Sequence, residues 1–339
     1  MLYENVCIEG IGYVIPDTVV TTAWLEEQIA PVYKALGIPQ GYIERLTGIR
    51  ERRWWDEGTR VSQASSWAGA RALENAGVSP QEVQCLINAS VCRDYIEPAT
   101  STFVHNNLGL PPTAMNFDMI NACLGFVNAM AVAANMIELG QIDTALIVAA
   151  EDPRQGQLET IQNLLTNSPM RNTLRDNLAS LTLGSASVAM VLRHKSKSKT
   201  GKRLLGGYFY GNTAHNHLCV AQPTWMHTDS TALMREGAQV VIHAFEGFKR
   251  ELGWTDDMID RIFTHQVSEP QRILNLYHVL MLPEGIDYPT LHYLGNTASV
   301  AAPISMAIAL ENGFVQAGNR ICMMGVGSGV NSLVVGIQW

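Results

Sequence analysis

Three side chains, far apart in the chain, have the types that nucleophilic catalysis needs. Cys123 follows a short segment, Met115-Asn-Phe-Asp118, and a turn, and it begins a nearly uncharged run to Leu139. That pattern predicts a strand, a turn and a buried helix with the thiol in its first turn. A thiol there meets unpaired N–H groups and the positive end of the helix dipole. Both favour the thiolate, which is the nucleophile, and lower the pKa from about 8.5. His265 ends a second short apolar run, 261–265, and Asn296 lies in Gly295-Asn-Thr-Ala-Ser-Val-Ala-Ala-Pro303. This last segment reads as a strand-to-helix turn that places Asn296 pseudo-symmetrically to the cysteine. Active sites of α/β sheets gather at strand C-terminal ends. A Cys, a His and an Asn meeting there make a nucleophile with neighbouring proton donors. Taken singly, each is equally a cap or core residue.

The elements that must position them alternate along the chain. Strands are predicted at 6–10, 85–90, 115–118, 144–149 and 187–192, with helices at 61–76, 99–108 and 123–139. The second half repeats the pattern: strands at 204–210, 261–265, 290–293, 320–324 and 332–337, helices at 231–252, 270–280 and 300–312. Within each half the central strands recur at intervals of about 30 residues, which suggests a duplicated α/β unit rather than a solenoid. The halves are 1–195 and 196–339. The first carries an extra stretch, about 152–183, a candidate lid or interface element. The junction holds Arg193, Lys195, Lys197, Lys199, Lys202 and Arg203 and no acid. It reads as a solvated linker, with a landing patch for an acidic carrier or nucleotide as the sharper alternative.

Composition excludes several classes. Of 339 residues, 47% are hydrophobic and 16% charged, against roughly 25% charged in an average soluble protein, so disorder is excluded. The net charge of −8 argues against nucleic acid as a partner. The 6 cysteines form neither a zinc framework nor a disulfide scaffold, which reads as a reduced, cytoplasmic chain. The run from Met119 to Ile137 is too rich in asparagine for lipid, since Asn121, Asn128 and Asn135 would share one helical stripe. No integral membrane association is expected. His215, His217 and Cys219 read as loop residues, so no metal is expected. Gly325-Val-Gly-Ser-Gly329 leads into a strand and lacks dinucleotide spacing. Its glycines let the backbone approach a bound group.

Taken together, Ala122-Cys-Leu-Gly-Phe126, His265-Gln266, Gly295-Asn-Thr297 and Thr47-Gly-Ile-Arg-Glu-Arg-Arg53 resemble the ketoacyl synthase III family of the thiolase superfamily, over essentially the whole chain and in order. The resemblance implies a thiolase fold, a duplicated five-layered αβαβα architecture, and a homodimer that transfers acyl groups through a cysteine thioester. It makes Cys123 the nucleophile, with His265 and Asn296 hydrogen-bonding the thioester carbonyl of the second substrate. The backbone N–H groups of Cys123 and Ser328 would form an oxyanion hole, with Gly327 and Gly329 close to substrate. Tyr42 stands where the family stacks the adenine of coenzyme A. Arg50, Arg52 and Arg53 are candidates for its phosphates, with surface ion pairs as the alternative. An arginine that docks carrier protein is replaced by Pro270, although Arg272 is close, so delivery by coenzyme A or by carrier protein stays open. No cofactor is implied beyond coenzyme A thioesters as substrates.

Glu97 narrows the resemblance. It precedes Pro98 where malonyl-using members commonly have Phe, and it looks like the OleA-type olefin-biosynthesis thiolases, which fuse two fatty acyl-CoA molecules. In that group the matching glutamate reaches across the dimer. A malonyl unit makes its carbanion by losing carbon dioxide, whereas a plain acyl thioester must lose an α-proton to a base. The expected reaction is therefore a non-decarboxylative Claisen condensation giving a 2-alkyl-3-keto acid or thioester. The structural alternative for Glu97 is a helix N-terminal acid stabilised by the dipole. The functional alternatives are a decarboxylative 3-oxoacyl-carrier-protein synthase III, a natural-product chain-joining ketosynthase, and a non-catalytic subunit of a heterodimer.

Overall fold

A computed structural model describes all 339 residues, Met1–Trp339. Nine strands form one sheet: β1 (Val6–Val14), β2 (Cys85–Asn88), β3 (Met115–Asp118), β4 (Thr144–Glu151), β5 (Ala186–His194), β6 (Arg203–Gly211), β7 (Arg261–Thr264), β8 (Arg320–Gly327) and β9 (Asn331–Gln338). Their spatial order is β7-β8-β9-β6-β1-β5-β4-β2-β3. The last five belong to the first half and the first four to the second. The halves meet where β1 runs antiparallel to β6, with Cys7 opposite Arg203. Strands β2, β3 and β4 are parallel, so their C-terminal ends open on one edge.

Helices on these sheets complete the layers. Helix α1 (Val61–Ala76) and α2 (Thr100–Asn107) cover the outer face of the first half, and α4 (Ser230–Leu252) covers that of the second. Between the halves lie α3 (Gly125–Glu138) and α5 (Ala301–Glu311). Both are apolar nearly all round, as a helix buried on every side must be. Phe126, Val127, Met130 and Ile137 of α3 and Ile304 and Met306 of α5 join strands of both halves in one cluster. Burial of each large side chain contributes about 2 kcal/mol. The result is the five-layered αβαβα arrangement expected for the thiolase fold. The asparagine stripe of α3 is satisfied within the protein: Asn121 Nδ2 donates to Asn128 Oδ1 at 2.7 Å, and Asn135 Oδ1 accepts from Tyr3 at 3.0 Å.

Two expectations are corrected. Residues 290–293 are not a strand, because Leu291–Leu294 is a short helix. Gln266 Oε1 accepts the N–H groups of Thr290 and Leu291 at 2.8 and 3.1 Å and so captures the start of that helix. Only the bridge between Ile262 and Asp287 marks where the missing strand would run. The basic junction is not a free linker: Arg193 is buried on Glu82, Lys197 pairs with Asp143 at 2.6 Å, and Glu9 accepts the Lys199 N–H at 2.8 Å. The stretch 152–183 is built, with helices Arg154–Thr166 and Arg171–Asn177.

Candidate active site

Cys123 lies in the turn between β3 and α3. The turn is set by Ala122 at φ 45°, by Leu124 N–H donating to Asn121 at 3.0 Å, and by Met119 N–H donating to Asn88 at 2.8 Å. Helix α3 begins at Gly125, so the thiol precedes the helix instead of opening it. Two glycines let neighbouring backbones close on this turn. A Cβ at Gly125 would come 2.7 Å from the Ala89 carbonyl, and one at Gly327 would come 3.3 Å from the Leu124 N. The Ser328 loop is thereby held against the Cys123 turn. The expected low thiol pKa is overturned. Burial pushes the Cys123 thiol well up, and the carboxylate of Glu151 and the thiol of Cys219 add to it. The cost of desolvating the thiolate exceeds what nearby N–H groups return, so Cys123 rests as a neutral thiol.

His265 follows β7, its N–H donating to the Met324 carbonyl at 3.1 Å. Burial lowers its pKa from 6.5 to about 4, against a raising contact with the Ala298 backbone. At neutral pH it is an uncharged imidazole, able to donate one hydrogen bond. Asn296 is buried and strapped to the first half. Its N–H donates to Thr182 at 2.9 Å, and its carbonyl accepts from Gly184 at 2.9 Å. Asn296 Oδ1 accepts the Ala298 N–H at 2.9 Å, which orients the amide and leaves its NH2 group as the donor. The true counterpart of Cys123 is Ser299 rather than Asn296. Ala298, at φ 48°, matches Ala122, and α5 starts at Ala301 as α3 starts at Gly125.

Glu97 does not cap a helix. Helix α2 starts at Thr100, and Asp118 accepts the N–H groups of Thr100 and Ser101, both at 2.8 Å. Glu97 instead sits near the tip of a loop beyond Ile96, which is 91% exposed. The loop's root is pinned. Ser62 N–H donates to Asp94 at 3.1 Å, and Arg60 lies 5.6 Å over the Tyr95 ring.

The remaining candidates divide. Ser328 faces the site's edge, its hydroxyl donating to Cys219 Sγ at 3.2 Å, and Gly329 takes φ 84°. Tyr42 is half-buried with Arg45 5.8 Å from its ring, and Arg50 is exposed. Arg52 is fully buried on the carbonyls of Val20 and Leu181 and the Thr22 hydroxyl, and Arg53 pairs with Glu51 at 2.9 Å. Neither is free for phosphate. Arg272 is held by Glu269 at 2.7 Å and by Asp287, so it is not available to dock a carrier. His215 pairs with Glu236 at 3.3 Å. Sequence reasoning missed Gln266, Asp118 and Glu151. The available signal for Glu151 was an acid closing the apolar run Thr144–Glu151.

Comparison with known proteins agrees with this architecture. Residues 250–339 match the family model for the C-terminal part of 3-oxoacyl-[acyl-carrier-protein] synthase III, and residues 117–156 match its other model. An acyl-CoA:acyl-CoA alkyltransferase of Shewanella oneidensis is 34% identical over 100% of both chains. One of Xanthomonas campestris is 33% identical over the same full coverage. A β-ketoacyl-[acyl-carrier-protein] synthase III of Rhodospirillum rubrum is 28% identical over 95% of each. A crystal structure of X. campestris OleA superposes with a TM-score of 0.97 at 32% identity, covering 100% of this chain and 98% of that one. The chain therefore belongs to the ketoacyl synthase III family of the thiolase superfamily, in its OleA-type group.

Proposed function

We propose that this enzyme joins two fatty acyl-CoA molecules head to head by a non-decarboxylative Claisen condensation. The thiol of Cys123 attacks the first acyl-CoA carbonyl; the C–S bond to CoA breaks, and CoA leaves with the thiol's proton. The second acyl-CoA places its carbonyl oxygen on the donors of His265 and Asn296. Glu97 takes an α-proton, and the enolate carbon attacks the Cys123 thioester. The new oxyanion is met by the N–H groups of Cys123 and Ser328, worth on the order of 3 kcal/mol per donor. Collapse expels the Cys123 thiolate, which recovers a proton from Glu97. The product is a 2-alkyl-3-ketoacyl thioester, or the keto acid after hydrolysis. No resident cofactor takes part.

The observation that carries this reading is the state of Glu97: an exposed carboxylate on a pinned arm, with the helix-capping duty taken by Asp118. Solved structures of X. campestris OleA include variants at a glutamate, a cysteine and a histidine whose mutual spacings equal those of Glu97, Cys123 and His265. Another contains lauric acid and lauroyl-CoA. Both facts support acyl-CoA as substrate and these three residues as its handlers. The arm also supports a homodimer in which Glu97 enters the partner's site. Strand β3 is an unpaired sheet edge, Met115 on it is 53% exposed, and Ile120 just beyond it and Tyr95 and Ile96 on the arm are exposed as well. Such an apolar edge is a template for pairing with a second copy. No helix is long and apolar enough to cross a membrane. With acyl-CoA as substrate and all six cysteines free, the cytoplasm is the proposed location.

The test gives purified protein a long-chain acyl-CoA as sole substrate and follows CoA release and the ketone formed on decarboxylation. Cys123→Ala should abolish both. Glu97→Gln should acylate Cys123 without joining chains. Joining at the wild-type rate by that variant refutes the role of Glu97.

A further inference from the structure

We propose that Glu151 is a positioning residue for chain joining, its one carboxylate setting both the arm that carries Glu97 and the turn that carries Asn296. The inference rests on the reading of those two residues given above. Glu151 ends β4 and is 2% exposed. Its Oε1 accepts the Val91 N–H at 2.9 Å and the Ser299 hydroxyl; its Oε2 accepts the Cys92 N–H at 3.0 Å. No lysine or arginine is among the groups acting on it; burial raises its carboxyl above the usual carboxylate range, and the hydrogen-bond donors offset that only in part.

The two anchored segments lead to different catalytic groups. Val91 and Cys92 are the root of the arm, and Ser90 beside them is fixed between Asn88 and the Ala150 N–H at 2.7 and 2.9 Å. From that root the chain runs through the pinned Asp94 and Tyr95 to Glu97. On the other side, Ser299 follows Ala298, whose N–H orients the Asn296 amide and whose backbone contacts His265. Ser299 occupies, in the second half, the position that Cys123 occupies in the first. The duplicated nucleophile turn has thus become an anchor. If Glu97 serves the partner's site, each Glu151 ties the carbonyl-binding side of one site to the base of the other.

Acylation of Cys123 needs neither Glu97 nor the second-substrate donors, so a displaced arm and turn should impair joining selectively. Glu151→Gln keeps the shape but not the acceptor set. Its amide offers one oxygen and one NH2 group where three donors converge, so at least one donor meets another donor. Misplacement of a reacting group by about 1 Å costs on the order of 10²-fold in rate. The experiment compares wild type, Glu151→Gln, Ser299→Ala and Ser299→Thr with a long-chain acyl-CoA alone. It reads the single-turnover CoA burst separately from ketone formation. Wild type that releases CoA but forms neither ketone nor 2-alkyl-3-ketoacyl thioester would sink the proposed function itself, independently of Glu151. Given joining by wild type, Glu151→Gln should give a CoA burst no slower than wild type, since the carboxylate removed also acts on the Cys123 thiol, and lose joining by about 10²-fold. Equal joining, or an equal fall in both steps, overturns the proposal. Should Glu151→Gln not fold, the serine pair decides. Joining lost in Ser299→Ala with the burst retained, and restored in Ser299→Thr, supports the anchor, and wild-type joining by Ser299→Ala overturns it.

Discussion

The buried imidazole of His265 makes stability depend on pH in a calculable way. In the unfolded chain its pKa is 6.5; in the folded chain burial lowers it to about 4. The unfolded state therefore binds the proton more readily. The stability that the neutral imidazole contributes is fully present above the unfolded value and is lost as pH falls toward the folded one. Linkage gives a loss of about 2 kcal/mol between about pH 7.5 and about pH 5. Other groups titrate in the same window, including the remaining histidines, so the informative quantity is a difference between variants. His265→Asn keeps a polar side chain but cannot take the proton. The assay is urea denaturation followed by tryptophan fluorescence at both pH values, at one protein concentration, because a dimer's stability depends on it. Wild type should lose about 2 kcal/mol more than His265→Asn on acidification. Equal losses would mean that the imidazole is already charged, or freely hydrated, in the folded protein. The neutral-donor role would fall with it.

Three other perturbations test the supports around the site. Asp118→Ala removes the acceptor of two α2 N–H groups and should lower stability by about 1–2 kcal/mol, read from the urea midpoint; no change would return the capping role to Glu97. Gly184→Ala would bring a Cβ within 1.9 Å of the Leu294 carbonyl. It should displace the strap to Asn296 and sharply reduce folded yield, with joining lost in whatever protein is recovered. Glu151→Gln removes a negative charge facing Cys123, where the other titratable group acting on the thiol is Cys219. The pH profile of Cys123 alkylation by iodoacetamide should therefore move to lower pH, and an unmoved profile would mean that the carboxylate is too well screened to act on the thiol.

What was legible in the sequence depended on how local its cause was. Helix Val61–Ala76 and strand Met115–Asp118 have the expected bounds, because apolar periodicity and flanking turns decide them. The paired strands Thr18–Thr21 and Glu51–Trp54 went unseen, since each is short and its partner is remote. The 290–293 run has strand-like residues, yet a distant side-chain oxygen on Gln266 makes its start helical. Cys123 and His265 stand just after the strands expected to carry them, whereas Asn296 follows the short helix Leu291–Leu294 instead of a strand. The ionisation of Cys123 was not legible, because it depends on burial between two halves and on a carboxylate from β4. The internal symmetry was legible to within a few residues. Its register had to come from the backbone of Ala122 and Ala298, which no residue type announces.

The charge state of the resting site bears on why the proposed base, Glu97, stands on an exposed arm. Cys123 is a neutral thiol, His265 a neutral imidazole, and Glu151 a carboxylate occupied by three donors. Both species that the proposed reaction creates, the enolate and the tetrahedral oxyanion, are anions. A pocket already holding a free thiolate or a second unpaired carboxylate would repel them, and in a buried site that repulsion is weakly screened. A base resident in the pocket would also be pushed toward its protonated form by the same burial that raises the Cys123 thiol. Held on an exposed arm, Glu97 lies outside that buried pocket and, in the proposed reaction, reaches the site only when the arm is seated. On this reading the elements that pin the arm at Ser90, Val91, Cys92, Asp94 and Tyr95 are as necessary to bond formation as the donors that receive the carbonyl. On the proposed mechanism, a chain whose arm had lost its anchors would still take up the first acyl group but would have no base in position for the second.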